Sequence, residues 1–178
     1  MTLFSREKLA RIEASEVAEA PRHSVLIVDD KDANLSVMAA ILRPFYHVLE
    51  ARDGQEALAL IEGLANPDEL ACIVSDHRMP RMTGVELFEQ VQPLLPHAIR
   101  IIVTGYIDVD AVVDAINKAE VHKFIVKPFD AAEFLQCVRR AIDAFDARQQ
   151  LVRSHAALLV ENEELKKRNA ALEALNKV

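Results

Sequence analysis

Five polar side chains in this sequence of 178 residues stand where short apolar runs end. They are Asp29, Asp30, Asp76, Thr104 and Lys127. In an open parallel sheet the carboxyl ends of the strands share one rim, and reactive groups gather there. We therefore expect the three carboxylates, the hydroxyl and the ammonium group to converge, although they lie far apart along the chain.

This set of side chains predicts phosphoryl chemistry. Three neighbouring carboxylates repel one another, so the cluster calls for a cation. Oxygen ligands at an open rim favour Mg²⁺, which keeps several waters and takes one or two carboxylates together with a phosphate oxygen. An ionised aspartate beside that ion can attack phosphorus and form an acyl phosphate. We predict that Asp76 is this nucleophile, with Lys127 and Thr104 binding phosphoryl oxygens.

The elements that would position these side chains follow from the alternation of apolar runs with helical segments. Five repeats of this alternation predict an α/β fold with a doubly wound, five-stranded parallel sheet. Four runs are apolar almost throughout and predict buried central strands, whereas the second run alternates and predicts a more exposed strand. The predicted strands span residues 24–29, 46–51, 71–76, 99–104 and 123–127.

Helical periodicity fills the intervals between the strands. Two of the predicted helices begin with an aspartate that a glutamate follows three residues later, Asp53 with Glu56 and Asp130 with Glu133, as in a capping box. The predicted helices span residues 33–42, 54–64, 85–91 and 109–119, and a last one runs from Ala131 onward.

Composition excludes several classes of function. The formal net charge of −7 and the pI near 5.4 argue against a broad nucleic-acid footprint, so we expect no direct nucleic-acid binding by this chain. No apolar run approaches the roughly 18 residues of a membrane span, and the charged N-terminus is unlike a signal peptide. We therefore expect a cytoplasmic protein without membrane contact. Cys72 and Cys137 lie singly in apolar runs and predict buried thiols.

A seven-residue repeat marks the end of the chain. The d positions are Leu151, Leu158, Leu165 and Leu172, and the a positions include His155, Asn162 and Asn169. Asparagine side chains at the a positions hydrogen-bond to each other across a two-stranded parallel coiled coil, and they destabilise other registers of the two helices. The flanking charges agree, because Glu161 would face Lys166 of a partner and Arg168 would face Glu173. We predict a homodimeric coiled coil; the alternative is a single solvated helix.

Four motifs in order give the sequence a resemblance to the receiver domains of two-component response regulators. The motifs are "VDD" at 28–30, "SDHRMPRMTG" at 75–84, "VTGY" at 103–106 and "FIVKPF" at 124–129. The resemblance covers about residues 24–145 and implies a flavodoxin-like (βα)5 fold. It also implies a regulatory phosphoacceptor rather than an enzyme, phosphorylated on Asp76 by a histidine kinase, a phosphotransfer protein or a small phosphodonor.

The same resemblance implies roles for the surrounding residues. Mg²⁺ would be held by Asp29, Asp30, Asp76 and the backbone carbonyl of Arg78. Thr104 would move toward the phosphoryl group, and Phe124 would turn inward as the second switch residue.

Two large side chains flank the predicted site. Arg78 lies two residues after the predicted acceptor and Tyr106 two residues after the threonine. We hypothesise that together they shield the acyl phosphate from water and lengthen its lifetime. The alternative is a pair of solvent-facing side chains with no kinetic effect.

Three segments are expected: an arm at 1–22, the receiver domain at 23–147 and a dimerisation helix at 148–178. The heptads are still in phase at Val178, as in a signalling helix that leads to an output domain.

Two other functions remain open from the sequence. A phosphatase of the haloacid-dehalogenase type would use Asp30 as nucleophile within the pair Asp30 and Asp32, but Asn34 departs from that motif. A receiver that is never phosphorylated, and serves only as a dimerising scaffold, is the other alternative.

Overall fold

The computed structural model describes residues 23–105 and 119–175, with side chains described up to residue 169. A five-stranded parallel sheet with strand order β2-β1-β3-β4-β5 forms its centre. The strands are β1 (Ser24–Val28), β2 (His47–Ala51), β3 (Leu70–Asp76), β4 (Ile99–Thr104) and β5 (Lys123–Val126). Every predicted strand is present, and each bound agrees within one residue. The doubly wound parallel sheet is therefore confirmed.

Helices cover both faces of the sheet. They are α1 (Asp32–Leu42), α2 (Gly54–Glu62), α3 (Gly84–Val91) and α4 (Ala131–Leu175), and a short 3-10 turn spans Pro67–Glu69. The helix predicted at 109–119 lies outside the described residues except for its last residue. The predicted arm at 1–22 lies outside them as well.

Successive residues of a strand point to opposite faces, and the core is divided accordingly. Val25 and Ile27 of β1 pack in the layer that α1 and α4 cover. Leu26 and Val28 pack in the layer that α2 and α3 cover. All four are fully buried, which explains why the run reads as continuously apolar.

One prediction about burial is wrong. Strand β5 was expected to be a buried central strand, yet it lies at the edge of the sheet with Lys123 and Val126 exposed. An apolar run indicates that the faces of a strand are buried, but it does not show whether the strand pairs with a neighbour at one edge or at both. The expectation for β2 is confirmed, because it forms the opposite edge and is half-buried along most of its length.

Side-chain caps fix where the helices begin. The Asp53 carboxylate accepts a hydrogen bond from Glu56 N, but the Glu56 carboxylate accepts from Arg52 N, so only half of that predicted box forms. A complete capping box at α3, between Thr83 and Glu86, was not predicted. At α4, the Asp130 carboxylate accepts from the backbone N–H groups of the second and third residues of the helix, which is the aspartate half of the predicted box.

An arginine is buried at the amino end of β4. The guanidinium of Arg100 is fully inaccessible and donates to the carbonyl oxygens of Leu95 and Ala119, and it pairs with the Glu120 carboxylate at 2.9 Å. A buried charge needs such partners, because otherwise its desolvation is not compensated. Arg100 thereby ties the connections on either side of β4 to the strand.

Helix α4 extends far beyond the sheet. Its first part packs on the core through residues such as Phe134, Val138 and Phe145. From Leu151 to residue 169 every side chain is exposed in the single chain, and the 45-residue helix is about 68 Å long at 1.5 Å per residue. Cys72 and Cys137 are both buried free thiols, as predicted. Within the described ranges, no helix has the length and apolarity to cross a bilayer.

Candidate functional site

Three predicted site residues meet at the carboxyl rim of the sheet. Lys127 Nζ lies 2.6 Å from Asp29 Oδ2 and 2.5 Å from Asp76 Oδ1, so one ammonium group joins the carboxylates at the carboxyl ends of β1 and β3. Burial by itself lowers the pKa of Lys127, but the hydrogen bonds and charges of the two carboxylates outweigh it and raise that pKa. The lysine is therefore cationic at neutral pH.

The two carboxylates differ in access. The side chain of Asp29 is 1% exposed, whereas that of Asp76 is 13% exposed. Asp76 Oδ2 accepts one further hydrogen bond, from Arg78 N at 2.9 Å. Of the pair, Asp76 is the carboxylate that an incoming group can reach.

Asp29 is held by more donors than the sequence indicated. Its Oδ1 accepts from Lys31 N at 3.0 Å and from Asn34 Nδ2 at 2.8 Å. Its Oδ2 accepts from the same Asn34 nitrogen at 2.9 Å, in addition to Lys127. Sequence reasoning considered Asn34 only as a departure from another motif. The signal available in the sequence was the position of Asn34, which lies five residues after Asp29 in the first turn of the helix that follows β1.

The loop after Asp76 approaches the strand so closely that only glycine fits at its end. A Cβ on Gly84 would lie 2.3 Å from the Asp76 carbonyl oxygen and 2.8 Å from Ile102 Cδ1. Gly84 N also donates to His77 O at 3.1 Å, and His77 N donates to Val103 O. These contacts fix the path of residues 77–84 around the exposed end of β3.

The two predicted switch residues lie on neighbouring strands. Thr104 ends β4 and is 5% exposed, and its carbonyl oxygen accepts from Lys127 N at 2.8 Å. Phe124 is half-buried and packs against the core layer beneath α2 and α3. Tyr106, predicted to influence lifetime, lies outside the described residues, and the side chain of Arg78 is exposed.

The oxygen donors at this rim have the chemistry that Mg²⁺ prefers. Asp29 and Asp76 already share a cation, the Lys127 ammonium, and Asp30 is exposed directly after β1. Across the described part of the chain, no three Asp, Glu, His or Cys side chains are grouped closely enough to hold a metal ion as they stand. The residues fit a magnesium site if Asp30 and Lys127 adjust.

Comparisons with known proteins agree with this geometry. The response regulator receiver domain family matches residues 25–139. The hydrogenase transcriptional regulatory protein HoxA of Cupriavidus necator is 32% identical over 121 residues, which are 68% of this chain and 24% of that protein. The chain thus spans about a quarter of the length of the first curated relatives it matches.

Two solved structures show the same fold. The signal receiver domain of an HD domain-containing protein from Pseudomonas fluorescens Pf-5 has a TM-score of 0.66 and 29% identity, covering 71% of this chain and 98% of that one. The beryllofluoride-activated NtrC4 receiver domain dimer has a TM-score of 0.62 and 32% identity, covering 68% and 98%. With the family match over most of residues 23–147, this chain belongs to the response regulator receiver domain family.

Proposed function

We propose that Asp76 accepts a phosphoryl group from a histidine kinase or a phosphotransfer protein. The observation that carries this proposal is the Lys127 bridge, which marks Asp29 and Asp76 as one cation-binding pair. Asp76 is the more accessible member of that pair. Its oxygen attacks phosphorus while the bond to the donor nitrogen breaks, which leaves an acyl phosphate on Asp76 and returns the electron pair to the donor imidazole.

Mg²⁺, when bound, offsets the negative charge that gathers on the phosphoryl oxygens. Asp29, Asp30, Asp76 and the backbone carbonyl of Arg78 would hold it. Lys127 exchanges its contact with the Asp76 carboxylate for one with a phosphoryl oxygen, and the Thr104 hydroxyl donates to another. The residues of this chain thus bind and neutralise the group, and the cation is their cofactor.

The response to phosphorylation is carried by Thr104 and Phe124. Thr104 moves toward the new phosphoryl oxygens, and the space it leaves favours an inward rotation of the half-buried Phe124 ring. Because phenylalanine has no hydroxyl, the rotation changes the packing of the ring at the surface of β5 but neither makes nor breaks a side-chain hydrogen bond.

The lifetime of the acyl phosphate depends on the entry of water. We assign this control to Arg78, which is exposed next to the acceptor, and to Tyr106. Replacing either residue by alanine is expected to raise the rate of dephosphorylation, measured by loss of the labelled phosphoryl group. An unchanged rate in both variants contradicts the assignment.

The exposed part of α4 is the proposed dimer seam. Leu151, Leu158 and Leu165 are between 51% and 71% exposed in the single chain, at the d positions of the heptad. Asn162 and Asn169 supply the pairing groups at a, and Leu172 continues the d positions. Val152 and Leu159 at e are also exposed and apolar, so the half of the seam nearest the domain is wider.

A short path connects the acceptor site to this seam. Lys127, which contacts Asp76, is three residues from Asp130, which caps α4. The ring of Phe129 between them stacks on Phe134 of α4 at 4.8 Å. Phosphorylation therefore acts on the start of the same helix whose far part dimerises, and through it on an output domain in a longer protein. The activated NtrC4 receiver is itself described as a dimer.

Neither nucleic acid nor a membrane is a proposed partner of this chain, in keeping with its net charge of −7. We place its action in the cytoplasm, where ATP-dependent kinases have their substrate. Aspartyl phosphatase chemistry through Asp30 and a purely scaffolding role remain the alternatives that the experiments must exclude.

The first experiment measures phosphorylation directly. Wild-type protein is incubated with acetyl phosphate and Mg²⁺, and the gain of one phosphoryl group is followed by intact mass spectrometry. We expect the gain to be lost in Asp76→Asn and kept in the matched control Asp68→Asn, because Asp68 is exposed in a turn outside the site. A modified Asp76→Asn protein, or an unmodified wild type, contradicts the proposal. Turnover of a generic phosphate ester that is lost in Asp30→Asn but kept in Asp76→Asn supports the phosphatase alternative.

The second experiment tests the seam by light scattering over a concentration series, in Mg²⁺ with and without beryllofluoride. Leu158→Ala is expected to weaken the dimer, whereas Val160→Ala is the matched control. The two side chains are 59% and 61% exposed, but Val160 lies at f, away from the predicted seam. Equal effects of both substitutions, or a monomer under every condition, contradict the coiled coil.

A further inference from the structure

We infer that Asn34 is a positioning residue that orients the Asp29 carboxylate for the Mg²⁺ ion that Asp29 and Asp76 would hold. This inference rests on the proposed function of the same site and extends it by one residue of α1. Asn34 Nδ2 lies 2.8 Å from Asp29 Oδ1 and 2.9 Å from Oδ2, so one amide nitrogen bridges both oxygens of the carboxylate.

The direction of the amide follows from the chemistry of its partner. An ionised carboxylate only accepts hydrogen bonds, and an asparagine side chain offers donors on its nitrogen alone. Both oxygens of Asp29 face the same atom of Asn34, so that atom is the nitrogen. Asn34 donates to both oxygens of the Asp29 carboxylate without adding a charge that would repel a cation.

The acceptor positions of the Asp29 carboxylate are also all occupied. A carboxylate has about four acceptor positions, and Asp29 receives Lys31 N, two contacts from Asn34 and Lys127 Nζ. A metal ion can therefore bind Asp29 only if one donor leaves. Lys127 is that donor, because a second cation replaces its charge and because it has Asp76 as another partner.

Asn34 then has a specific task. When Lys127 withdraws, Asn34 and Lys31 N are the contacts that still fix the orientation of the buried Asp29 carboxylate. Without the amide, Asp29 depends more strongly on Lys127, and the incoming ion competes less well for it. Partners that orient a ligating side chain in this way typically account for a 10- to 100-fold change in metal affinity.

The test measures Mg²⁺ binding itself, by isothermal titration calorimetry on the full chain without a phosphodonor. Asn34→Leu keeps approximately the side-chain volume and removes the donor, whereas Asn34→Ala removes both. We expect both to raise the Mg²⁺ dissociation constant about tenfold. Ser36→Ala is the matched control, since Ser36 is exposed on the same helix and is expected to bind Mg²⁺ like the wild type.

A second measurement separates positioning from a general loss of structure. The rate of phosphorylation by acetyl phosphate is measured as a function of Mg²⁺ concentration. Both Asn34 variants are expected to need about tenfold more Mg²⁺ for half of the maximal rate, and the rate at saturation is expected to change less than threefold. Thermal unfolding in EDTA checks that each variant folds, and if one does not fold the other carries the test.

The outcomes distinguish this inference from the proposal it rests on. Wild-type affinity in both variants overturns the role of Asn34 and leaves the acceptor site intact. An effect in Asn34→Ala alone attributes the result to packing and also overturns it. If the wild type binds no Mg²⁺ and accepts no phosphoryl group, the proposed function itself fails.

Discussion

Lowering the pH is expected to destabilise this domain through one histidine, His122, just before β5. Its Nδ1 accepts a hydrogen bond from Arg100 N at 3.1 Å, so the ring must carry no proton on that nitrogen. Burial is the largest cause that lowers the pKa of His122, and together with the positive charges of Arg100 and Arg148 it brings that pKa to about 4, although the Glu120 carboxylate acts in the opposite direction. Protonation would remove the hydrogen bond and place a second cation beside the buried guanidinium.

The direction of the effect follows from linkage. The folded pKa lies below the ordinary value of 6.5, so the unfolded chain takes up a proton first as the pH falls. The stability that His122 contributes is present above pH 6.5 and is lost as the pH falls towards 4. At about 1.4 kcal/mol per pKa unit the full shift corresponds to about 3 kcal/mol. Because His122 is only half-buried, solvent screening reduces this, and we expect a loss of about 1 kcal/mol between pH 7.5 and pH 5.

Urea denaturation of the wild type and of His122→Asn across this pH range measures the effect. Asparagine offers an oxygen close to the position of Nδ1 but does not titrate, so subtracting its curve removes the contribution of every other acidic or histidine group. The difference in the free energy of unfolding between the wild type and His122→Asn is expected to decrease by about 1 kcal/mol as the pH falls to 5. A difference that stays constant with pH, or an NMR titration of His122 with a midpoint near 6.5, refutes the reasoning.

Three pairs of substitutions test one close glycine contact and two helix caps, and the members of each pair are compared by urea denaturation at neutral pH. Gly84→Ala is expected to lower the free energy of unfolding by about 1–3 kcal/mol through its contact with the Asp76 carbonyl. Gly63→Ala, where the new Cβ meets only ordinary contacts, is expected to be neutral or slightly stabilising. Thr83→Ala is expected to cost about 1 kcal/mol by removing the cap of α3, and Thr83→Ser much less. Asp130→Ala is expected to cost a similar amount at α4, and Asp130→Ser to recover most of it. Equal effects within any of these pairs contradict the mechanism assigned to it.

Strand ends were the part of the site that the sequence predicted well. Hydrophobic runs locate buried strands, and parallel order then brings the residues after them to one rim. Asp29, Asp76 and Lys127 do meet there, within hydrogen-bonding distance. That success depends only on chain topology, which the alternation of strands and helices determines.

Asn34 and Arg100 show what such reasoning misses. Asn34 belongs to a helix, and its contact with Asp29 depends on the angle at which α1 leaves the rim, which apolar periodicity does not specify. Arg100 interrupts an apolar strand and would be read as a solvent-facing residue. It is instead fully buried, because carbonyl groups from the connections before and after β4 accept hydrogen bonds from its guanidinium. Both cases depend on how a helix or a loop folds back towards a strand end, which the apolar pattern of the sequence does not contain.

The motif "SDHRMPRMTG" combines a strand end that the sequence predicts with contacts that only the structure shows. As a sequence it predicts a phosphoacceptor aspartate followed by a loop, and in the structure its last glycine, Gly84, lies against the carbonyl oxygen of Asp76. Gly84 N closes the loop on His77 O, and Thr83 caps the helix that begins there. The start of α3 is therefore hydrogen-bonded to the residue after Asp76 and packs closely against the Asp76 carbonyl oxygen. A change in the backbone at Asp76 must move the start of α3, whereas a change confined to its carboxylate need not. Under the proposed function, phosphorylation of the Asp76 carboxylate would therefore change its charge without requiring the start of α3 to move.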